Sequence, residues 1–271
     1  RNPTDANWRV MSALIMSPGI SHTFPKPHLI AQKAKDASCP IIGDMELLME
    51  SQKDAAYIGI TGTNGKSTTT SLIAHILKTA GKTIQVGGNL GMPVLELLPM
   101  GDAGIYVLEM SSYQLDLTPS ISCDFSVLLN ISPDHLDRHG GMGGYIDSKK
   151  GVLRNRTENS IVVIGVDDPY SREIFETLNA DTMGRIIPIS GSLDVEKGVF
   201  ASNGTLFDSI DGDPRPVLNL LEVRALPGEH NAQNAAAAYA VAKLADLDWQ
   251  EISNAIKTYP GLAHRQERVD V

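Results

Sequence analysis

The run Gly59-Ile60-Thr61-Gly62-Thr63-Asn64-Gly65-Lys66-Ser67-Thr68 lies between an apolar, strand-like stretch (55–60) and an amphipathic, helix-like one (69–78). In that context a glycine-rich bend lets successive backbone N–H groups, with the positive end of the following helix, surround the oxygens of a polyphosphate. Gly62, Thr63, Asn64, Gly65 and Thr68 form the cradle, Lys66 reaches the terminal phosphates, and Ser67 holds Mg²⁺. The general nucleotide-loop pattern requires glycine five positions before Gly65, where this chain has Ile60. GTNGKST between a strand and a helix therefore points to one branch of the nucleotide-binding proteins rather than to all of them. The competing reading is a glycine-rich turn beside a solvated lysine.

The 271 residues leave room for roughly two domains. A hydrophobic content of 42%, a charged content of 20% and a formal charge of −9 describe an acidic globular chain without the basic surplus that gripping nucleic acid needs. No apolar run approaches the ~20 residues that span a bilayer, so no integral membrane segment is expected. Cys39 and Cys123 lack metal-ligand spacing and disulfide density, and read as buried thiols in a reducing cytoplasm. The chain opens at Arg1 with what reads as a mid-domain loop. It closes on Arg268-Val269-Asp270-Val271, which reads as the start of another strand, so a fragment is expected.

Apolar β-type runs alternate with helical periods along most of the chain. Strands are predicted over 55–60, 83–86, 104–109, 124–130, 160–166 and 185–190, and helices over 67–80, 142–154, 168–178, 230–245 and 249–259. This alternation argues for an α/β fold with a central, mainly parallel sheet of the P-loop ATPase type. Turn residues between 191 and 223, among them Ser202-Asn203-Gly204, predict a small antiparallel addition. Ahead of it, an apolar run (13–16), a helix (28–37) and a strand (40–42) make one unit of a partial, smaller N-terminal α/β domain. The expected division is 1–43, a central unit 44–261, and a hinge with the start of a further domain at 262–271.

Ligands of open α/β sheets bind beyond the carboxyl ends of the strands, and several exits carry suggestive residues. Glu109 leaves an apolar strand beside the loop, where a carboxylate can ligate the Mg²⁺ that bridges nucleotide phosphates. Asn130-Ile131-Ser132-Pro133-Asp134-His135-Leu136-Asp137-Arg138-His139 follows another such strand. There His135, flanked by Asp134 and Asp137, is a candidate for a second cation site, and His139 is set aside. Lys149 shares a helix face with Tyr145, four residues before it, but the residues alone give it no role beyond a solvated face. Asn231 and Asn234 lie on one helical face, able either to pair with a base or to cap the helix. Asn89, among three glycines, suggests backbone close to a ligand. Arg265, after Pro260-Gly261, is either a linker charge or a phosphate clamp.

Taken in order, GTNGKST, Leu108-Glu109-Met110-Ser111-Ser112-Tyr113-Gln114-Leu115, the 130–139 segment and Ser17-Pro18-Gly19-Ile20 resemble the Mur ligase family, the ATP-dependent amide-forming enzymes of peptidoglycan precursor synthesis. Met110 and Tyr113 depart modestly from its commoner residues. The resemblance implies ATP and Mg²⁺, with UDP-N-acetylmuramoyl-L-alanine and D-glutamate as substrates, a monomeric cytoplasmic enzyme, and an acyl-phosphate intermediate. It implies that Lys66 and Ser67 bind phosphate and Mg²⁺, that Glu109 ligates a first Mg²⁺ and His135 a second, and that Asn231, Asn234 and Arg265 contact the nucleotide. Ser17, Pro18, Gly19 and Asn89 fall where the UDP-sugar is held. Lys149 matches a lysine carried as a carbamate, an anionic oxygen ligand made by CO₂ addition, and so joins Lys66 and His135 among the implied catalytic residues. The C-terminal domain that binds the amino acid is absent by this reading, so the 271-residue chain alone is expected not to ligate. Rival readings are a sister or folylpolyglutamate-type ligase, and a nucleotide-switched binding module.

Overall fold

The computed structural model describes residues 7–180, 183–228 and 230–262. Two short parallel strands, β1 (Leu14–Ile15) and β2 (Ile41–Ile42), pair Leu14 with Ile41 and are bridged by helix α1 (Leu29–Asp36). Met16, Ala31 and Leu117 close a small core beneath them. Helix α2 (Asp44–Ser51) follows, with Asp44 and Glu46 in its first turn, where they oppose the positive helix end. This helix is not among those predicted from the sequence. Met45, Leu48 and Met49 stand at helical spacing and are all buried, yet the pattern lasts barely two turns.

Nine strands form the main sheet among the described residues: β3 (Ala56–Thr61), β4 (Ile84–Gly88), β5 (Ile105–Glu109), β6 (Phe125–Leu128), β7 (Ile161–Gly165), β8 (Arg185–Ser190), β9 (Val199–Ser202), β10 (Thr205–Asp208) and β11 (Arg215–Asn219). Their order is β4-β5-β3-β6-β7-β8-β9-β10-β11. Pairing is parallel from β4 through β9, and β10 runs antiparallel to both of its neighbours. The anticipated mainly parallel sheet and its antiparallel extension are thus both present. Asn203 and Gly204 join β9 to β10 with φ of 49° and 76°, the left-handed pair that a tight hairpin of this hand requires.

Helices cover both faces. On one side lie α3 (Lys66–Thr79), α8 (His230–Leu244) and α9 (Trp249–Lys257). On the other lie α2, the short α4 (Ser112–Asp116) and α5 (Leu136–His139), then α6 (Met142–Lys150) and α7 (Pro169–Asn179). Leu72, Ile73, Ile76 and Leu77 of α3 are fully buried, each contributing about 1.5–3 kcal/mol by leaving water. The helix expected over 142–154 ends its α form at Lys150 and tightens to a 3₁₀ turn at Gly151–Leu153. The turn packs closely on α4, where a Cβ on Gly151 would press to 3.2 Å of Leu115 Cβ.

The alanine run of α8 is wholly buried, from Ala235 through Ala242. Small side chains let this helix lie close against α3 and the sheet, which brings its first turn to the phosphate-type bend. Ala237→Leu should therefore overpack the layer by about 1–3 kcal/mol and lower the thermal midpoint by several degrees. An unchanged midpoint in a melting experiment would contradict this packing.

Candidate active site

β3 ends at Thr61, and the chain bends through Gly62 to Gly65 before α3 begins at Lys66. Gly65 has φ of 83°, in the left-handed region, and a Cβ there would fall 2.1 Å from Asn234 Oδ1. Glycine is required both by conformation and by the approach of α8. No side chain caps α3, whereas Asp168 and Asp248 cap α7 and α9. The positive end of α3 faces the bend, an arrangement suited to an anion.

The bend is shaped from behind. Asn130, just past β6, accepts from Asn64 N through Oδ1 (2.9 Å), donates to Asn64 O through Nδ2 (3.2 Å), and accepts from Thr63 N through its own carbonyl (2.9 Å). Its Nδ2 also donates to Gln233 Oε1 (2.9 Å), and Gln233 Nε2 donates to Asp167 Oδ2 (2.7 Å), tying the ends of β6, β7 and α8 together. Thr69 Oγ1 donates to Asn234 Oδ1 (3.2 Å), Asn234 Nδ2 to Asn231 Oδ1 (3.0 Å), and Asn231 Nδ2 to Pro227 O (2.7 Å). Asn231 and Asn234 are therefore buried in a chain of hydrogen bonds that runs from Pro227 to Thr69 of α3. Thr63 Oγ1 lies 3.0 Å from Tyr145 OH and donates to Ser132 O at 3.1 Å.

Two lysines converge on one acceptor within this frame. Lys66 Nζ donates to Gly62 O at 3.0 Å and to Thr63 O at 2.8 Å, while Lys149 Nζ donates to the same Gly62 carbonyl at 2.7 Å. Lys149 is 2% exposed, and its Nζ stands 4.7 Å from the centre of the Tyr145 ring, one helical turn back on α6. The solvated face that the residues alone suggested is replaced by a buried one. Burial first, and then the nearby Lys66 charge, push the Lys149 amine from an ordinary 10.5 down to about 7, against an opposing pull from Asp134.

Glu109 ends β5 opposite Ile60 and is 1% exposed. Its Oε1 accepts from Asn89 Nδ2 at 2.7 Å, and its carbonyl accepts from Asn89 N at 2.9 Å. Oε2 is buried without a hydrogen-bond partner. An orphaned carboxylate oxygen is costly until a cation or water completes it, and Mg²⁺ takes such oxygens together with water. Ser67, at the second position of α3, is buried at the loop's exit. Among the described residues no three His, Cys, Asp or Glu side chains cluster to hold a metal, so an ion here would rely on mixed oxygen ligands.

His135 sits at the rim with φ of 50°, its Nε2 3.4 Å from Asp134 Oδ2 and its ring 5.2 Å from that of Tyr113. His139 is buried instead, with Nε2 3.0 Å from Ser112 Oγ and Nδ1 3.4 Å from Asp116 Oδ2. No local signal in the sequence marks this residue, since its partners lie on another helix. Arg138 was equally unmarked. Its guanidinium donates to Gly19 O (2.9 Å) and Pro18 O (3.2 Å), which brings the Ser17-Pro18-Gly19 loop to the same rim. Arg265, with the expected hinge and final strand, lies outside the described residues. A cavity of about 750 Å³ opens at the opposite end of the sheet, beside Tyr57 and Asp124, and contains none of these groups.

A parallel sheet whose central strand feeds a glycine bend, a lysine and an uncapped helix defines an α/β nucleotide-binding protein of the P-loop type. The Mur ligase middle domain matches residues 60–242, and this chain belongs to the Mur ligase family. It is 47% identical over 262 residues to the UDP-N-acetylmuramoylalanine--D-glutamate ligase of Rhodospirillum rubrum, covering 97% of this chain and 55% of that protein. It is 45% identical over 274 residues to the ligase of the same name from Phenylobacterium zucineum, covering 99% and 58%. The chain thus spans a little over half the length of these curated relatives. Among solved structures, UDP-N-acetylmuramate:L-alanyl-gamma-D-glutamyl-meso-diaminopimelate ligase from Neisseria meningitides superposes with a TM-score of 0.64 at 19% identity, covering 93% of this chain and 80% of that one. The UDP-N-acetylmuramoylalanyl-D-glutamyl-2,6-diaminopimelate--D-alanyl-D-alanyl ligase of Acinetobacter baumannii gives 0.61 at 21% identity, covering 83% and 50%. These two likenesses speak for the fold.

The Lys149 amine sets a pH dependence whose sign follows from its lowered value. Between about pH 7 and 10 the unfolded chain holds a proton that the folded chain has released, so stability from this group rises with pH. In urea titrations across that range, the unaltered chain should gain stability relative to Lys149→Met. A difference that stays constant with pH would rule out a buried, readily neutralised amine.

Proposed function

We propose that the full-length protein is an ATP-dependent amide ligase that adds D-glutamate to UDP-N-acetylmuramoyl-L-alanine in peptidoglycan precursor synthesis, acting as a cytoplasmic monomer. The observation that carries this reading is the meeting of Lys66 and Lys149 on the Gly62 carbonyl, with an unpartnered Glu109 oxygen buried at the end of the strand beside β3. The names of the relatives at 45–47% identity support the choice of substrates.

In this reading the substrate's L-alanyl carboxylate attacks the γ-phosphorus of ATP, releasing ADP, and the amine of D-glutamate then displaces phosphate from the acyl phosphate. Two anionic groups must approach each other, so the chain's work is charge screening and alignment. Gly62, Thr63, Asn64, Gly65 and Thr68 supply the cradle. Lys66 exchanges the carbonyls of Gly62 and Thr63 for phosphate oxygens. Ser67, Glu109, His135 and a carbamate on Lys149 would hold Mg²⁺, which when bound screens the phosphoryl charge. The free-base fraction of Lys149 favours that carbamate: about half the amine is neutral at pH 7, against roughly one in three thousand for an ordinary lysine. The reaction R–NH₂ + CO₂ → R–NH–COO⁻ + H⁺ turns a buried cation into an oxygen ligand. Asn231, Asn234 and Arg265 on the nucleotide, and Ser17, Pro18, Gly19 and Asn89 on the UDP-sugar, complete the proposal by family resemblance.

Multiple-turnover ADP formation by the full-length protein should require both UDP-N-acetylmuramoyl-L-alanine and D-glutamate when a panel of D- and L-amino acids is supplied. Lys149→Ala should lower that turnover by roughly a hundredfold or more, the scale of losing a preorganised electrostatic group. Equal turnover with another amino acid, or full activity of the variant, would refute the assignment.

A further inference from the structure

The short helix α5 does more than carry the chain past the rim. Arg138, in its third position, donates to the carbonyls of both Pro18 and Gly19, so one guanidinium spans two successive peptide units of the N-terminal loop. The same guanidinium lies 4.6 Å from the centre of the Tyr113 ring, which packs on its other contacts against His135 and His139. At the end of α5 the chain turns through Gly140 with φ of 71°, and a Cβ there would strike the Phe24 ring at 2.8 Å. Phe24 therefore rests directly on the Gly140 backbone and gives the loop a second anchor beside Arg138.

His135 is the residue that begins this helix, and the loop clamp lies one turn later. A four-residue helix of fixed length thus sets the spacing between the Ser17–Gly19 backbone and the rim that faces the phosphate bend. The helix itself is held from below, since His139 meets Ser112 and Asp116 of α4, and Ser148 Oγ donates to Ser112 O at 2.7 Å from α6. Lys149 is the next residue on α6. Loop, rim and buried lysine are therefore linked through one small set of contacts.

We infer that Arg138 is a positioning residue that holds the Ser17–Gly19 loop in register with the phosphoryl-transfer rim, so that the nucleotide-sugar carboxylate and ATP are presented to each other in line. This rests on the ligase reading above for the identity of the loop's ligand, while the clamp itself is a feature of the fold. Arginine suits the task because its planar fork can serve two carbonyls while its face stacks on an aromatic ring. A lysine keeps the charge but has neither the fork nor the flat face.

The test compares Arg138→Ala and Arg138→Lys in the full-length protein. Both should raise the KM for UDP-N-acetylmuramoyl-L-alanine by about tenfold or more, the size of losing a charge-assisted hydrogen bond, and leave the calorimetric Kd for ATP unchanged. Backbone hydrogen exchange over residues 17–24 should quicken in both variants, with the phosphate bend unaffected. Full rescue by lysine, an equal loss of ATP affinity, or unchanged exchange in the loop would overturn the inference. If the unaltered protein shows no turnover dependent on the UDP-sugar, the ligase reading fails by itself, and the exchange measurement still decides whether Arg138 clamps the loop.

Discussion

One carbonyl oxygen, that of Gly62, organises this site, because two lysine side chains from different helices are drawn onto it. Two ammonium groups sharing one acceptor repel each other, and the burial of Lys149 limits how far water can screen its charge. Each lysine is brought to that oxygen by the helix that carries it. Lys66 opens α3 on one face of the sheet, Lys149 comes from near the end of α6 on the other, and both helices are fixed by buried apolar side chains. The strain has two outlets, the arrival of anionic oxygens or the loss of a proton from the more buried amine. Both outlets are chemically useful at a phosphate-binding bend.

The geometry depends on how the bend is held from behind. Asn130 reads the backbone of Asn64 on both its donor and acceptor sides, and Gln233 and Asp167 keep Asn130 from turning away. Asn234 fills the space that a side chain at residue 65 would need. The ends of β6 and β7 and the first turn of α8 thus converge on a loop of four residues. A parallel sheet suits this purpose, since its strands all deliver their carboxyl ends to one edge. Glu109 and Asn89 arrive at that edge from adjacent strands and reach each other across it.

Legibility in the sequence followed the range of the interactions. The six strands read from apolar runs are all present, shifted by a residue or two at their ends, and so is the hairpin signalled by Asn203-Gly204. The phosphate-type bend was legible because its requirements are local: a glycine for positive φ, a lysine and a hydroxyl at set spacing. Helices α4 and α5 were not, because four or five residues cannot display a helical period. Lys149 looked like a surface lysine, and its burial comes from the packing of α6 beneath the bend. Arg138 and His139 act on residues 23 to 120 positions away, a distance that no local pattern encodes.

By itself, then, the amino-acid order determined the alternation of strands and helices, the bend at Gly62 to Gly65, and the residue types able to handle phosphate and a hard cation. Those properties arise from backbone conformation and side-chain chemistry within a few residues. Tertiary structure alone decided that Lys66 and Lys149 share an oxygen, that one carboxylate oxygen of Glu109 is left without a donor, and that Arg138 joins an early loop to the rim. Each of these is set by burial and by contacts between distant segments, and those exist only once the sheet has brought its strand ends together.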